Sequence, residues 1–542
     1  MTRPDGIRER AAQLLMVRLG SNVPPPTAAE DDAKRVSNLL VDCPVGGLIL
    51  FRGTWPHVRR TLDQLQAESD VPLLVGSDLE RGLGQQVRGG TRFPHAMTAG
   101  HTADPEAAAA ALAQVTAREA RAAGIHLAFA PVADIHLHAE NPIIGPRAFG
   151  DSPDMVSRCV EAYIRAARAD GLLTCAKHFP GHGRTVSDSH EELPVVEASE
   201  KNLRVTDLVP FQRAIEAGVD TVMTAHVAYP SLDPSGRPAT ASRRILIDLL
   251  RTEMGFSGCV VSDSLLMEGI RTNASGPGEQ AAELIQSGVD LLLDPQEPRA
   301  VVDGLVDAVA AGRLSRARLD EAFERVWALK QNAFARMEHS SPDQPTGTVG
   351  MRIHHAKAEQ MARDGAIIRR DTGQLRRRNG GEGVVVIRFE SRFSGGAEPE
   401  MKRTLADRLP AAQFRVVDPE TPHDRCESVR RDAGERAVIV VAIAAEPAAW
   451  QSFGLPDDLE RMAAEILDAA EERGAASMLV VLGSPRAGDR VEERSAVAGR
   501  IGRVDFFSDE DVSQKAFVDG LARRLEGTSE AVSDSDPGEA AW

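Results

Sequence analysis

Between residues 12 and 294 the chain repeats one alternation: a short continuous apolar run ends in a polar residue, and an amphipathic segment follows. Eight such runs occur: Gln13–Val17, Gly47–Phe51, Leu73–Asp78, Ala128–Asp134, Leu173–His178, Thr221–His226, Cys259–Asp263 and Asp290–Asp294. Unbroken apolar runs predict strands buried on both faces, as in a parallel sheet covered by helices. Helical segments such as Met155–Ala169 and Asp207–Ala217 stop just before Gly171 and Gly218, where a helix C-cap is expected. Eight strand-helix units predict an α/β fold of the (β/α)8, TIM-like barrel type with loop insertions.

The pattern changes after the helix predicted over Leu319–Phe334. A Pro/Gly/Ser-rich stretch from Ser340 to Gly347 reads as a linker. Beyond a helix near His355–Asp364, strand-like runs recur at Val384–Phe389, Phe414–Val417, Ala437–Ile443, Met478–Leu482 and Val504–Phe507, with a helix at Asp457–Glu472. The expected organisation is a barrel domain over 1–337, a linker over 338–350, a smaller α/β layered domain over 351–528 and a disordered tail over 529–542, rich in Ser, Asp and Glu.

A chain of 542 residues exceeds what one core usually serves, which fits two domains. With 42% apolar residues most of it should fold. The net charge of −17 repels phosphate at long range, so no nucleic-acid or anionic-membrane partner is expected. The N-terminus carries no signal-like apolar core, and no run reaches the ~20 residues of a membrane helix, so a cytoplasmic protein is expected. Five scattered cysteines (Cys43, Cys159, Cys175, Cys259 and Cys426) suit reduced core positions rather than disulfides or zinc.

Barrels of this type place chemistry at the C-terminal ends of their strands, which here carry Asp78, Asp134, Lys177, His178, His226, Asp263 and Asp294. Loop polarity explains any one of them, but their convergence on one rim points to a site. The densest stretch is Lys177-His178-Phe179-Pro180-Gly181-His182-Gly183-Arg184-Thr185-Val186-Ser187-Asp188-Ser189-His190. In it, Asp188-x-His190 lets a carboxylate orient an imidazole, making His190 a candidate general acid/base. Asp263 is placed to attack an anomeric carbon, or simply to cap the next helix. Arg88, Arg147, Lys177 and His178 can donate hydrogen bonds to hydroxyls, and Asp78 can accept from them. Two other readings stay open: a metal-dependent hydrolase using His136, His138, His178, His182, His190, His226 and Asp263, and a catalytically silent sugar-binding protein.

These residues resemble glycoside hydrolase family 3, in particular its β-N-acetylglucosaminidase branch. The resemblance is carried by Gly47–Phe51, Asp78-Leu79-Glu80, Asn141–Gly150, Lys177–His190, Met223–Val227 and Ser262–Met267. It implies a cofactor-free, metal-free retaining hydrolase with Asp263 as nucleophile and His190, paired with Asp188, as acid/base. By the same resemblance Asp78, Arg88, Arg147, Lys177, His178 and His226 contact the non-reducing sugar. The implied substrate is an N-acetylglucosamine-containing oligosaccharide or muropeptide, in cell-wall or chitooligosaccharide turnover. Phosphorolysis in place of hydrolysis is the alternative. Two departures stand out: Arg184 occupies a place where the family usually has Asp, and the stretch from Glu80 to Arg88 is longer than the shortest family version. The sequence leaves the oligomeric state open.

Overall fold

The computed structural model describes residues 3–23, 25–187, 192–270, 274, 276–338, 347–377, 383–391, 398–445, 454–526 and 542. All eight apolar runs of the first half contribute strands: β1 (Leu15–Leu19), β2 (Gly47–Leu50), β3 (Leu74–Ser77), β4 (Leu127–Ala128), β5 (Leu173–Phe179), β6 (Thr221–Thr224), β7 (Cys259–Ser264) and β8 (Leu291–Leu293). They pair in parallel, in chain order, and β8 closes on β1. Helices such as Pro105–Ala122, Pro153–Ala169 and Arg316–Glu338 alternate with them. The run Ala128–Asp134 is the exception to its expected length, since only Leu127–Ala128 forms regular strand. Pro131 has no N–H for the ladder, and beyond it the main-chain pairing with β5 is one bridge, Val132 with Lys177, in which Lys177 N–H donates to the Pro131 carbonyl and Ala133 N–H to the Lys177 carbonyl. Gly171 and Gly218 follow their helices with φ of +79° and +81°, the left-handed turn expected of a C-cap glycine.

At the N-terminal end of the barrel one device recurs. The side chain just before β4, β6 and β8 accepts a backbone N–H from the odd-numbered strand beside it: His126 Nδ1 from Val75 at 3.0 Å, Asp220 from Thr174 at 3.1 Å and Asp290 from Val260 at 2.9 Å. Arg336 ties Asp220 to the helix Arg316–Glu338, and Arg251, Arg318 and Arg325 surround Asp290. Burial pushes the His126 pKa down to about 4, with the charges of Arg59, Lys330 and Arg121 acting the same way, so the ring is neutral and its Nδ1 can accept.

Two compact units make up the chain: Met1–Arg92 with Glu106–His355, and Phe93–Pro105 with Ala356–Trp542. The second is an open sheet of β9 (Ile367–Arg370), β10 (Val384–Glu390), β11 (Gln413–Val417), β12 (Val438–Ala445), β13 (Ala476–Gly483) and β14 (Gly502–Asp505), in the order β9-β14-β13-β12-β10-β11. All its pairings are parallel except β9 with β14. Val385, Ile387 and Phe389 face one layer of helices and Val384 and Val386 the other, so both faces are buried. The segment Phe93–Pro105 packs here: His95 Nδ1 lies 3.1 Å from Ser508 Oγ, and His101 stacks on Phe507.

The expected linker lies largely outside the described residues, as does the expected tail apart from Trp542, which is buried against Phe517 and Arg524. The five cysteines are free thiols, four of them buried. Among the described residues no helix is long and apolar enough to cross a membrane.

Candidate active site

At the C-terminal end of the barrel, β5 runs on to Phe179 and delivers Lys177 and His178 to the mouth. The Lys177 ammonium, almost wholly buried, lies 2.8 Å from Asp78 Oδ1 and 2.7 Å from Glu80 Oε1. Arg147, on the short turn Gly145–Arg147, grips the other side of Glu80 with Nε at 3.0 Å and Nη2 at 2.8 Å, while its Nη1 donates to the Ile143 carbonyl. Burial disfavours charge on Lys177, but Asp78 and Glu80 outweigh it and raise the ammonium pKa above its usual value. Burial likewise opposes charge on Glu80, yet Arg147 and Lys177 hold its carboxyl well below the usual carboxylate range. Glu80, Lys177 and Arg147 therefore keep their charges, and the ion pairs fix all four side chains, Asp78 included, in place. Glu80 is a member of this group that sequence reasoning did not single out. The available signal was Glu80's place two residues after Asp78, just past the end of β3 on the same rim.

Asp134, beyond the shortened fourth strand, organises the next part of the rim. Its Oδ2 is 2.7 Å from His178 Nδ1 and accepts the His178 backbone N–H, and its Oδ1 accepts the His182 N–H at 2.6 Å. Burial works against its charge, but His178 and His182 bring the carboxyl pKa below its usual value. The His182 ring is driven to a pKa of about 4, first by burial and then by neighbouring His178, and Nδ1 sits 2.9 Å from Thr185 Oγ1.

Two glycines of this loop have a steric reason. Gly181 has φ +131°, and a Cβ on Gly183 would stand 1.6 Å from the Ile135 carbonyl oxygen. Asn141 closes the loop's base, donating to the His182 carbonyl at 2.9 Å, and Tyr229 donates its hydroxyl to the Gly181 carbonyl at 2.6 Å. Arg184 turns to Asp207, with Nε 3.0 and 2.9 Å from the two carboxylate oxygens and Nη2 2.9 Å from Thr206 Oγ1. It is thus half of a buried-carboxylate ion pair at the start of helix Val209–Glu216. Asp188 and His190 lie outside the described residues.

The remaining rim residues come from β6, β7 and β8. His226 is fully buried, with Nδ1 2.8 Å from Thr240 Oγ1 and Nε2 3.2 Å from the Ser264 carbonyl oxygen. A carbonyl only accepts, so Nε2 carries the hydrogen. Asp263 is half-buried at the end of β7, and its Oδ1 accepts the Ser264 backbone N–H at 2.8 Å. Among the weaker influences on the His182 ring, the charge of Asp263 works against the downward shift that burial causes. Arg88 is placed apart from the Glu80 cluster: it is exposed on a two-residue strand, Val87–Arg88, with Nη2 3.4 Å from Thr54 Oγ1. Among the described residues no cluster of three or more His, Cys, Asp or Glu side chains forms a metal cage.

The mouth therefore offers fixed cations, fixed carboxylates and a half-exposed Asp263, an arrangement suited to gripping a polyhydroxylated ring. Residues 6–329 match the glycosyl hydrolase family 3 N-terminal domain. A β-hexosaminidase A from Pseudoalteromonas piscicida is 28% identical over 465 residues, covering 79% of this chain and 75% of its own. A β-hexosaminidase from Thiobacillus denitrificans is 35% identical over 303 residues, 54% of this chain and 82% of its own. The structure of a family 3 β-N-acetylglucosaminidase from Paenibacillus sp. strain FPU-7 superposes with a TM-score of 0.80 at 25% identity, covering 97% of each chain. With its barrel, its charged rim and a family match over most of its length, the chain belongs to glycosyl hydrolase family 3 and is an enzyme of the glycosidase class.

Proposed function

We propose that this enzyme releases terminal β-linked N-acetylglucosamine from an oligosaccharide or cell-wall fragment, by a retaining double displacement. The observation that carries the reading is the locked group of Asp78, Glu80, Lys177 and Arg147 on the same rim as Asp263. Glu80 holds Lys177 and Arg147 charged without itself needing to touch the sugar. Their remaining donors, with Asp78 as acceptor and His178 oriented by Asp134, suit the hydroxyls of a non-reducing sugar. Arg88 and His226 enter this binding set by resemblance, His226 being engaged through Nδ1 with Thr240 and through Nε2 with the Ser264 carbonyl.

In the first step an Asp263 carboxylate oxygen attacks the anomeric carbon while His190, oriented by Asp188, protonates the departing glycosidic oxygen. In the second, the neutral His190 takes a proton from the incoming acceptor, which attacks the glycosyl-enzyme ester and frees Asp263. The names of the relatives in Pseudoalteromonas piscicida and Thiobacillus denitrificans support the hexosaminide class.

The test is product analysis with a chromogenic β-N-acetylglucosaminide, with and without phosphate, combined with mass spectrometry of a slowly turning-over glycosyl-enzyme. The expected result is N-acetylglucosamine of retained configuration and a label on Asp263. A glycosyl phosphate product would replace water by phosphate as acceptor, and a label on Asp78 or Asp134 would overturn the assignment of the nucleophile.

A further inference from the structure

One buried carboxylate on the rim has no part in the scheme above. Asp294 follows β8 directly, is almost fully buried, and adopts φ +60°, a left-handed conformation rare outside glycine though tolerated by Asp. Its backbone N–H bonds to the Met16 carbonyl of β1 at 2.8 Å, which fixes the turn. Its carboxylate is gripped by Arg18 of β1, with Nε 2.9 Å from Oδ1 and Nη2 on Oδ2. Arg18 is in turn fixed by Ser21 Oγ at 2.9 Å and lies over the Phe51 ring.

What this ion pair holds is Ser264, whose hydroxyl donates to Asp294 Oδ2 at 3.1 Å. On the other side the Ser264 carbonyl accepts from His226 Nε2 at 3.2 Å. The N–H of the same residue donates to Asp263 Oδ1 at 2.8 Å. Ser264 is thus clamped from both neighbouring strands while its amide faces the carboxylate beside it. A donor to one oxygen of a carboxylate favours its ionised form and restricts how the group can turn.

We propose that Asp294 is a positioning residue for Asp263, acting through Ser264: with Arg18 and His226 it fixes the amide that orients the nucleophilic carboxylate. The proposal rests on Asp263 being the nucleophile. The competing account is that Arg18 and Asp294 merely tie β1 to β8, in which case the Ser264 hydroxyl is incidental.

The two accounts separate in full-length enzyme carrying Ser264→Ala, Ser264→Thr, Asp294→Ala or the Ser264→Ala/Asp294→Ala pair. The readouts are the labelling rate with a fluorinated N-acetylglucosaminyl fluoride whose glycosyl-enzyme turns over slowly, and the acid limb of kcat/KM against pH. Positioning predicts that Ser264→Ala labels roughly ten- to a hundred-fold more slowly, because small displacements of a reacting group carry losses of that size. Its acid limb moves to higher pH, Ser264→Thr recovers most of the rate, and the double variant is no slower than the slower single. An unchanged labelling rate and acid limb in Ser264→Ala, or losses that multiply in the double variant, would overturn the proposal. If Asp294→Ala does not fold, the Ser264→Ala and Ser264→Thr comparison decides alone. A label found on a carboxylate other than Asp263 is a separate failure, that of the nucleophile assignment itself.

Discussion

The two ends of the barrel use the same ingredients for different ends. Both bury carboxylates against arginine or lysine. At the N-terminal end Asp220 and Asp290 each spend a carboxylate oxygen on a backbone N–H of the neighbouring strand, and Arg121 donates to the Asp170 and Arg336 carbonyls near helix C-termini. Those charges answer main-chain groups and the negative ends of helices, so they stabilise the fold. At the C-terminal end Asp134 also accepts backbone N–H groups, but Glu80, Lys177, Arg147 and Asp78 join side chain to side chain around the mouth, where their remaining donors and acceptors face a ligand rather than a neighbouring strand. A buried ion pair alone does not mark a site; what its partners are does.

The sharpest break of this comparison is Asp263→Ala. Turnover should fall roughly a thousand-fold or more with the melting temperature unchanged, as expected for loss of the group that forms the covalent bond. Substantial residual turnover would remove the C-terminal rim's claim to the chemistry. Next comes Asp290→Asn at the other end. It leaves Arg251, Arg318 and Arg325 around a neutral side chain and should cost about 3 kcal/mol of stability in denaturant unfolding. Its kcat/KM per folded molecule should stay at the wild-type value, and a loss of activity in fully folded protein would refute the division of labour.

Glu80→Gln tests the same division from the active side. With Lys177 and Arg147 deprived of their shared carboxylate, kcat/KM should fall roughly thirty-fold, about 2 kcal/mol, under conditions where the variant is fully folded. Unimpaired kinetics would group Glu80 with the struts of the far end.

The smallest effect concerns pH. The folded His126 pKa of about 4 lies below the ordinary 6.5, so the unfolded chain takes up this proton first and His126 contributes falling stability from pH 6.5 down to 4. His126→Asn should lose about 1 kcal/mol above pH 6.5, where the ring is neutral in both states, and the gap to wild type should narrow as the pH drops through that window. A gap that widens on acidification would show that the ring is charged in the folded state.

The barrel was legible because strands buried on both faces leave unbroken apolar runs, and all eight of them contribute strands. The edge strand Ile367–Arg370 was not, because it is half-exposed and ends in two arginines, so its apolar stretch is too short to register. Proline explains the other gap: Ala128–Asp134 has a strand's composition, but Pro131 lacks an N–H and past it the pairing is a single bridge, Val132 with Lys177. In the site, the residue types at the strand ends and the glycines of the loop were readable. Glu80 with Arg147, Asp134 with His178 and Arg184 with Asp207 were not, because each pair is made by the closure of the barrel between positions far apart in sequence. The shared use of His126, Asp220 and Asp290 before β4, β6 and β8 leaves no mark in the sequence, since a histidine and two aspartates have a common role only through the amides of the neighbouring strands.

The segment Phe93–Pro105 has a consequence for how this protein can be taken apart. Because it belongs to the second unit while both of its flanks belong to the first, the polypeptide passes between the units three times. On the ribosome this piece emerges long before the sheet it joins, and Phe93, Met97 and Ala99, all buried in the finished protein, must wait for residues beyond 356. A gene cut at the unit boundary between His355 and Ala356 would yield a barrel fragment carrying an orphaned apolar stretch and a C-terminal fragment with an open seam beside Phe507 and Ser508. Dissection into separately expressed halves therefore calls for supplying residues 93–105 to the second half, as a fused or added peptide, rather than for a better choice of cut site.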